Sequence, residues 1–272
     1  MAIRFFHWFI QKVGAKTLGF VFLLLVAVGS GAFGLAEVIK GLESGLLFRI
    51  VFFAIVTSWL LARTKMKTWI GGVALFLFGI IVLIIAIGQL VTPLIALFKA
   101  ADYLIWVYLY EPPGLMVDLT TINLAYSEVF FGAEVVIDAV LEWISSIIEG
   151  LPIYNEIAIN LIWGLAMWSI ACWAGWVLRR FSQPVLSVLP TGVLLSVTLS
   201  YTWAGTESII TLVFATLLLM ALKNYDFSEK KWVTAKMDYP EDLSKEFAIT
   251  SVVLVVGIVA IAALFPIFTI DN

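Results

Sequence analysis

The chain has 272 residues, of which 62% are hydrophobic and 13% are charged, and its mean hydropathy is +1.07. Soluble domains carry about 25% charged residues, so this composition excludes a water-facing fold and predicts an integral membrane protein. The net charge of −3, with no basic run longer than two residues, argues against nucleic acid as a partner.

Seven apolar runs are long enough to cross a bilayer core of about 30 Å. They predict an all-α fold, a polytopic membrane helical bundle of about seven transmembrane helices. Residues 1–16, which contain the one histidine, His7, precede the first run and are expected to form an interfacial helix. The third run is long enough to tilt, or to bend near Pro93, and Pro190 is expected to kink the fifth. The seven runs are 17–39, 45–62, 69–98, 157–178, 184–202, 206–222 and 247–270.

Small residues at four-residue spacing recur in the first and fourth runs, where they allow two helix backbones to approach closely. Their role is either ordinary bundle packing or a dedicated dimer face, and the sequence leaves the oligomeric state open. The residues are Ala27, Gly31, Ser30 and Gly34 in the first run and Ala171 and Gly175 in the fourth.

The segment 99–156 is the one sizeable piece on the outer side that is not expected to span. Residues 128–149 predict an amphipathic helix, because carboxylates fall on one arc and large aliphatic residues on the opposite one. We expect this helix to lie across the outer end of the bundle and its carboxylates to contact a protein partner. The carboxylates are Glu134, Asp138, Glu142 and Glu149. The stretch from Tyr110 to Gly114 before it is expected to form a loop.

Basic residues are distributed unequally between the two sides of the predicted bundle. Thirteen of the sixteen lie before the first run, after the second and fourth, or between the sixth and seventh. Because cytoplasmic loops retain Lys and Arg, the amino terminus is predicted to be cytoplasmic and the carboxyl terminus outside. The runs within 17–98 and 157–222 are then transmembrane helices one to three and four to six, 223–246 is a cytoplasmic segment and 247–270 is the seventh helix.

Residues that carry chemistry are scarce. One Cys and one His exclude a disulfide framework, a thiolate metal cage and a haem held by two imidazoles, so we expect no metal, no cofactor and no catalytic residue within the chain. Arg49 lies near the outer end of the second run, from which it can reach the headgroups. Gln89 and Asn160 are uncharged residues of a kind that joins helices more often than it binds substrate.

From the fourth run onward the order of features resembles the amino-terminal membrane region of bacterial transmembrane transglutaminase-like proteins. The resemblance covers about 176–266 and rests on Trp176, Arg179-Arg180, Pro184, Leu189-Pro190-Thr191-Gly192, Tyr201, Trp232, Asp238-Tyr239-Pro240-Glu241-Asp242-Leu243 and Phe265-Pro266. In that family the last span delivers a Cys-His-Asp domain to the outer side. Any such catalytic domain would lie beyond Asn272, so no catalytic residue is carried over.

Three functions are compatible with this sequence. The first is an anchor and scaffold in a bacterial inner membrane that presents an outward-facing transglutaminase-like domain, with no chemistry in these residues. The second is an accessory structural subunit of a larger membrane complex, for example a respiratory or photosynthetic one. The third is a small-molecule transporter. The bilayer is the expected surrounding of the chain in each case.

Overall fold

The computed structural model describes residues 15–110, 119–151, 154–202, 206–238, 240 and 243–264. Within these ranges the chain forms nine α-helices and no strand, so the all-α prediction is confirmed. The expected interfacial helix before residue 15, the loop expected after Tyr110 and the end of the last predicted span after Leu264 lie outside the described residues.

The helices are joined by short connections. In chain order they are α1 (Ala15–Val38), α2 (Ser44–Leu61), α3 (Thr68–Ile87), α4 (Val91–Tyr110), α5 (Thr120–Ile148), α6 (Glu156–Phe181), α7 (Pro184–Thr202), α8 (Thr206–Thr234) and α9 (Leu243–Leu264).

Six of the described helices have the length and apolar composition needed to cross a membrane, namely α1, α2, α3, α6, α7 and α8. They correspond to the first six predicted runs, so a polytopic membrane protein is confirmed. The seventh predicted run coincides with α9 as far as Leu264, but α9 is not among the six.

The third predicted run differs from the structure, because 69–98 is divided between α3 and α4. The division lies at Gly88–Leu90, where Gln89 has a left-handed backbone with φ +54°. Pro93 is the third residue of α4. Proline is tolerated in the first helical turn, where its missing N–H has no partner to lose, so Pro93 lies within the start of a helix and does not bend one.

α8 continues to Thr234, three turns into the segment 223–246 that was expected to follow the sixth span. Charged side chains stabilise this extension. Lys230 pairs with Asp226 one turn earlier at 2.7 Å, and Lys16 of α1 pairs with Glu229. The Asp226–Lys230 pair has the i, i+4 spacing that supports exposed helix, and the Lys16–Glu229 pair attaches the extension to α1.

Contacts between connections define two ends of the bundle. At one end the amide of Asn160, at the start of α6, bonds the connection between α1 and α2; we call this the acidic end. At the other, the basic end, Arg180 donates to the carbonyl of Met66 at 2.9 Å and Lys223 lies 3.5 Å from Ser182. This grouping matches the connections that the charge distribution predicts to share a side.

α1 and α6 are central to the core. α1 packs against α2, α7 and α8, whereas α6 packs against α2, α3 and α7. Leu24, Leu35, Leu47, Trp168 and Leu219 have no exposed surface. Large apolar residues elsewhere on the spans remain exposed, as is expected of helices that face lipid.

α4 and α5 form a hairpin beside this core. Small residues at seven-residue spacing form a stripe along α5 that, together with the buried Val136, packs against the neighbouring helices. They allow close approach between the helices. The stripe consists of Ala125, Gly132, Ala139 and Ser146.

Candidate functional site

A polar cavity of about 500 Å³ lies at the acidic end, where α2, the turn between α3 and α4, and the start of α6 meet. Its volume is that of a small-molecule site. Its apolar lining comes from α2, α3, α4 and α6, and its polar lining consists of Glu43, Arg49, Gln89, Thr92, Glu156 and Asn160.

Local sequence determines where α6 begins at this cavity. The Asn155 side chain caps the helix by accepting from the backbone N–H groups of Ile157 and Ala158, at 3.0 and 3.2 Å. Glu156 lies in the first turn and Arg179 and Arg180 in the last, which complements the helix dipole at both ends. The cap fixes the register that directs Glu156 and Asn160 to the cavity.

Asn160 joins two segments of the chain. Its Nδ2 donates to the carbonyl oxygens of Gly41 and Glu156, both at 2.9 Å, and its Oδ1 accepts from the N–H of Glu43 at 3.3 Å. These bonds use both amide protons and the carbonyl oxygen. Asn160 is therefore a structural clamp on the wall of the cavity, as the sequence favoured for an uncharged polar residue in a span.

Tyr154 holds the same connection from outside. Its hydroxyl donates to the carbonyl oxygen of Lys40 at 3.0 Å and lies against Gly41, whose φ of +83° and close neighbour both favour glycine. Desolvation, and after it the negative charge of Glu156, raise the pKa of Tyr154 above its usual range. The phenol therefore remains a hydrogen-bond donor at neutral and mildly alkaline pH.

Three charged groups line the cavity without pairing with one another. Arg49 donates through Nε to the carbonyl of Gly45 at 3.1 Å, and none of the ion pairs in the described ranges involves Arg49, Glu43 or Glu156. All three side chains are exposed. The cavity thus presents one guanidinium and two carboxylates that do not pair with one another, and the Glu156 carboxylate also lies beside the Tyr154 hydroxyl.

An apolar groove of about 390 Å³ continues from this cavity between α2 and α3. The two spaces share Leu46, Arg49, Ala86 and Val91 as lining residues. Below Arg49 the groove is lined by Ile50, Phe53, Thr57, Phe78, Val82 and Ile85. The combined space has a charged opening and an apolar interior, as suits a molecule with a polar headgroup and a hydrocarbon chain.

The predicted partner-contact residues Glu134, Asp138 and Glu142 are exposed on α5, and Glu149 is exposed at its C-cap. Helix α5 contains residues 128–148 of the predicted 128–149 helix, with Glu149 as its C-cap, and it begins eight residues earlier than predicted, at Thr120. The aliphatic arc is also exposed, at Ile137, Leu141, Ile144, Ile147 and Ile148, because the small-residue stripe, not this arc, packs against the neighbouring helices. Among the residues that the structure describes, α5 therefore has two faces on which no other helix packs.

The predicted packing residues lie between helices. A side chain added at Gly31 would collide with Thr191 of α7, and one added at Gly34 would meet Leu195 of α7 at 2.6 Å. Ala27, Ser30 and Ala171 are buried, and Gly175 lies against Ser58 of α2. All six positions allow close contacts within one copy of the chain.

Two further cavities have little polar lining. One, of about 310 Å³, lies between α3 and α6 beside Cys172, Trp168 and Trp176. The Trp168 indole donates to the carbonyl of Leu75 at 2.9 Å, and Cys172 is buried 3.7 Å from the carbonyl of Ala54. The other, of about 580 Å³, lies between α7 and α8 and has no charged lining residue.

The described residues contain no group of three or more His, Cys, Asp and Glu side chains that could hold a metal ion. The chain matches no protein-family model, and no curated protein or solved structure is significantly similar to it. A cavity of about 410 Å³ at the basic end also has charged lining, from Lys223, Asp226 and Lys230. There Lys230 pairs with Asp226, whereas the charged groups of the polar cavity form no ion pair in the described ranges.

Sequence reasoning missed this cavity. Glu43 and Glu156 were not recognised as lining the same cavity as Arg49, because the two acids are separated by more than a hundred residues and no periodic pattern connects them. The sequence did predict which connections between helices share one side of the membrane. This prediction limits which connections can come into contact, but it does not say which of their side chains line a common cavity.

Proposed function

We propose that this chain is a membrane-embedded scaffold with seven spans that holds an outward-facing protein domain and performs no chemistry of its own. Glu134, Asp138 and Glu142 form the proposed contact, and α9 is the proposed seventh span. The carrying observation is that α5 packs through the stripe of small residues together with Val136 and leaves both an acidic face and an aliphatic face exposed.

Charge favours a basic partner surface for this helix. None of the ion pairs in the described ranges involves an acid of α5, so these carboxylates remain available. Complementary charge across an interface accelerates association and fixes orientation, while the exposed aliphatic face supplies apolar area to bury. The resemblance to transglutaminase-like membrane regions supports an outward domain as the partner, in a bacterial inner membrane.

Orientation is proposed from the basic residues. Lys16, Arg63, Arg179, Arg180 and Lys223 cluster at the basic end, which we assign to the cytoplasm, and α5 then lies outside. Single cysteines at Ser44, Asn123 and Ser228, in a Cys172→Ala background, test this assignment with an impermeant thiol reagent. Labelling from outside is expected at Ser44 and Asn123 only, and labelling at Ser228 would contradict the topology.

The scaffold role is tested by reversing the acidic face. A chain with Glu134→Lys, Asp138→Lys and Glu142→Lys should insert into the membrane normally. A photoreactive residue placed at Ile144 of this variant should no longer form salt-sensitive crosslinks to the partner domain. Glu37→Lys with Glu207→Lys is the control, because it reverses exposed or end-of-helix acids outside α5. Unchanged crosslinking in the triple variant, or solute transport by the purified chain in liposomes, would refute the proposal.

A further inference from the structure

The polar cavity and the apolar groove together form a site that the scaffold role does not use. We propose that this site binds one glycerophospholipid with a phosphoethanolamine headgroup, the phosphate at Arg49, the ammonium at Glu43 and Glu156, and one acyl chain in the groove between α2 and α3.

The shape of the site favours an amphiphile over a small polar solute. Four lining residues are common to the cavity and the groove, so the two spaces form one continuous path. Along α2 the path extends from Arg49 to Thr57, which is eight residues or a length of about 12 Å at 1.5 Å per residue. This length is most of one leaflet's share of a hydrocarbon core of about 30 Å, and it accommodates an acyl chain lying parallel to the helices.

Charge selects the headgroup. A guanidinium binds phosphate oxygens through paired N–H donors, and the Nη atoms of Arg49 are free for this because its bond to Gly45 uses Nε alone. Two carboxylates in the same cavity repel a headgroup with net negative charge, and they accept hydrogen bonds from a primary ammonium. A choline ammonium has no N–H to donate, so phosphatidylcholine loses these bonds.

The remaining polar groups are consistent with this arrangement. Asn160 is fully occupied as a clamp and only shapes the wall. The Gln89 side chain is exposed at the mouth, and no hydrogen bond to it is found within the described ranges, so its amide can donate to a phosphate or ester oxygen. The site thus offers a guanidinium to the phosphate, two carboxylates to the ammonium and the Gln89 amide to a phosphate or ester oxygen.

The test uses the full 272-residue chain, delipidated in detergent, with binding measured by native mass spectrometry. Palmitoyl-oleoyl phosphatidylethanolamine is expected to bind about tenfold more tightly than the phosphatidylcholine or phosphatidylglycerol of the same chains. Water-soluble glycerophosphoethanolamine should bind far more weakly than the lipid. Equal binding of the three lipids, or competition by the soluble headgroup at the lipid's own concentration, would overturn the proposal.

Variants separate the three parts of the site. Arg49→Gln should weaken phosphatidylethanolamine binding about tenfold, and Arg49→Lys by less, because it keeps the charge and loses the paired donors. Glu43→Gln with Glu156→Gln should abolish discrimination between ethanolamine and choline lipids while leaving choline lipid binding unchanged. Ala86→Trp should block the groove and weaken all three lipids.

Matched controls are Arg63→Gln and Glu207→Gln, which neutralise one residue of each sign outside the site. Helicity and thermal unfolding are measured for every variant, and the wild-type lipid preference remains an independent test if one variant does not fold. If Arg49→Gln binds phosphatidylethanolamine as Arg63→Gln does, Arg49 is not the phosphate ligand and the proposal fails.

Discussion

The clamp at Asn160 gives a quantitative prediction about stability. Asn160→Leu keeps the approximate volume of the side chain but removes the bonds to Gly41 and Glu43, which join α6 to the connection between α1 and α2. At about 1 kcal/mol net for each hydrogen bond, the free energy of unfolding should fall by about 2 kcal/mol. The third bond, to Glu156 in the same helix, is local and contributes less.

Asn160→Asp should cost more, although it is nearly isosteric. An ionised carboxylate can still accept from the Glu43 N–H, but it cannot donate to the two carbonyl oxygens that the amide serves, and it would be a nearly buried negative charge close to Glu156. The expected loss is about 3 kcal/mol or more. Stability should therefore decrease in the order Asn, Leu, Asp.

Unfolding in mixed micelles with increasing dodecyl sulfate, followed by circular dichroism, measures these differences. Asn224→Leu is the matched control, since Asn224 is exposed on α8 and should change stability by no more than about 0.5 kcal/mol. An Asn160→Leu variant as stable as the Asn224→Leu control would show that the clamp does not hold the acidic end together.

Three further predictions concern helix packing, backbone conformation and the ionisation of Tyr154. Gly79→Ala should lose about 1–3 kcal/mol because the new methyl group meets the Trp168 indole, whereas Gly72→Ala, in open space on the same helix, should gain up to about 1 kcal/mol in the same unfolding assay. Gln89→Gly should be neutral or stabilising and Gln89→Val destabilising, because only glycine adopts φ +54° without strain; the opposite order would show that this turn is not left-handed. The pKa of Tyr154 is raised in the folded state, so its contribution to the free energy of unfolding is complete below the ordinary value of 10.0 and is lost as pH rises through the folded value. The wild type should therefore be more stable than Tyr154→Phe at pH 8, and this difference should shrink above pH 10. A difference that is constant from pH 8 to 11 would contradict the last prediction.

Hydropathy alone predicted the spans that the structure confirms, because a bilayer demands about 20 apolar residues irrespective of packing. It could not locate the break at Gln89, since the residues on both sides of it are apolar and a left-handed residue other than glycine leaves no compositional signal. The predicted bend near Pro93 was wrong, because proline is also favoured in the first turn of a helix, where Pro93 lies.

The orientation of α5 was predictable only in part. The acidic and aliphatic arcs were visible from their spacing, and their residues are exposed as separate faces. The packing stripe was not recognised, because Ala125, Gly132, Ala139 and Ser146 are individually unremarkable and only their seven-residue spacing identifies them. Burial of small residues depends on how closely a neighbour approaches, which one helix alone does not encode.

The attachment of α6 to α2 at both ends restricts how the bundle can move. Arg179 lies over the Trp59 ring at 5.1 Å at the basic end, while Asn160 bonds the residue before α2 at the acidic end. Sliding α6 along α2 by one helical turn, about 5.4 Å, would break both attachments together. These two helices are therefore expected to move together. The rocking of one half of the bundle against the other, which alternating access requires, would need its moving boundary elsewhere.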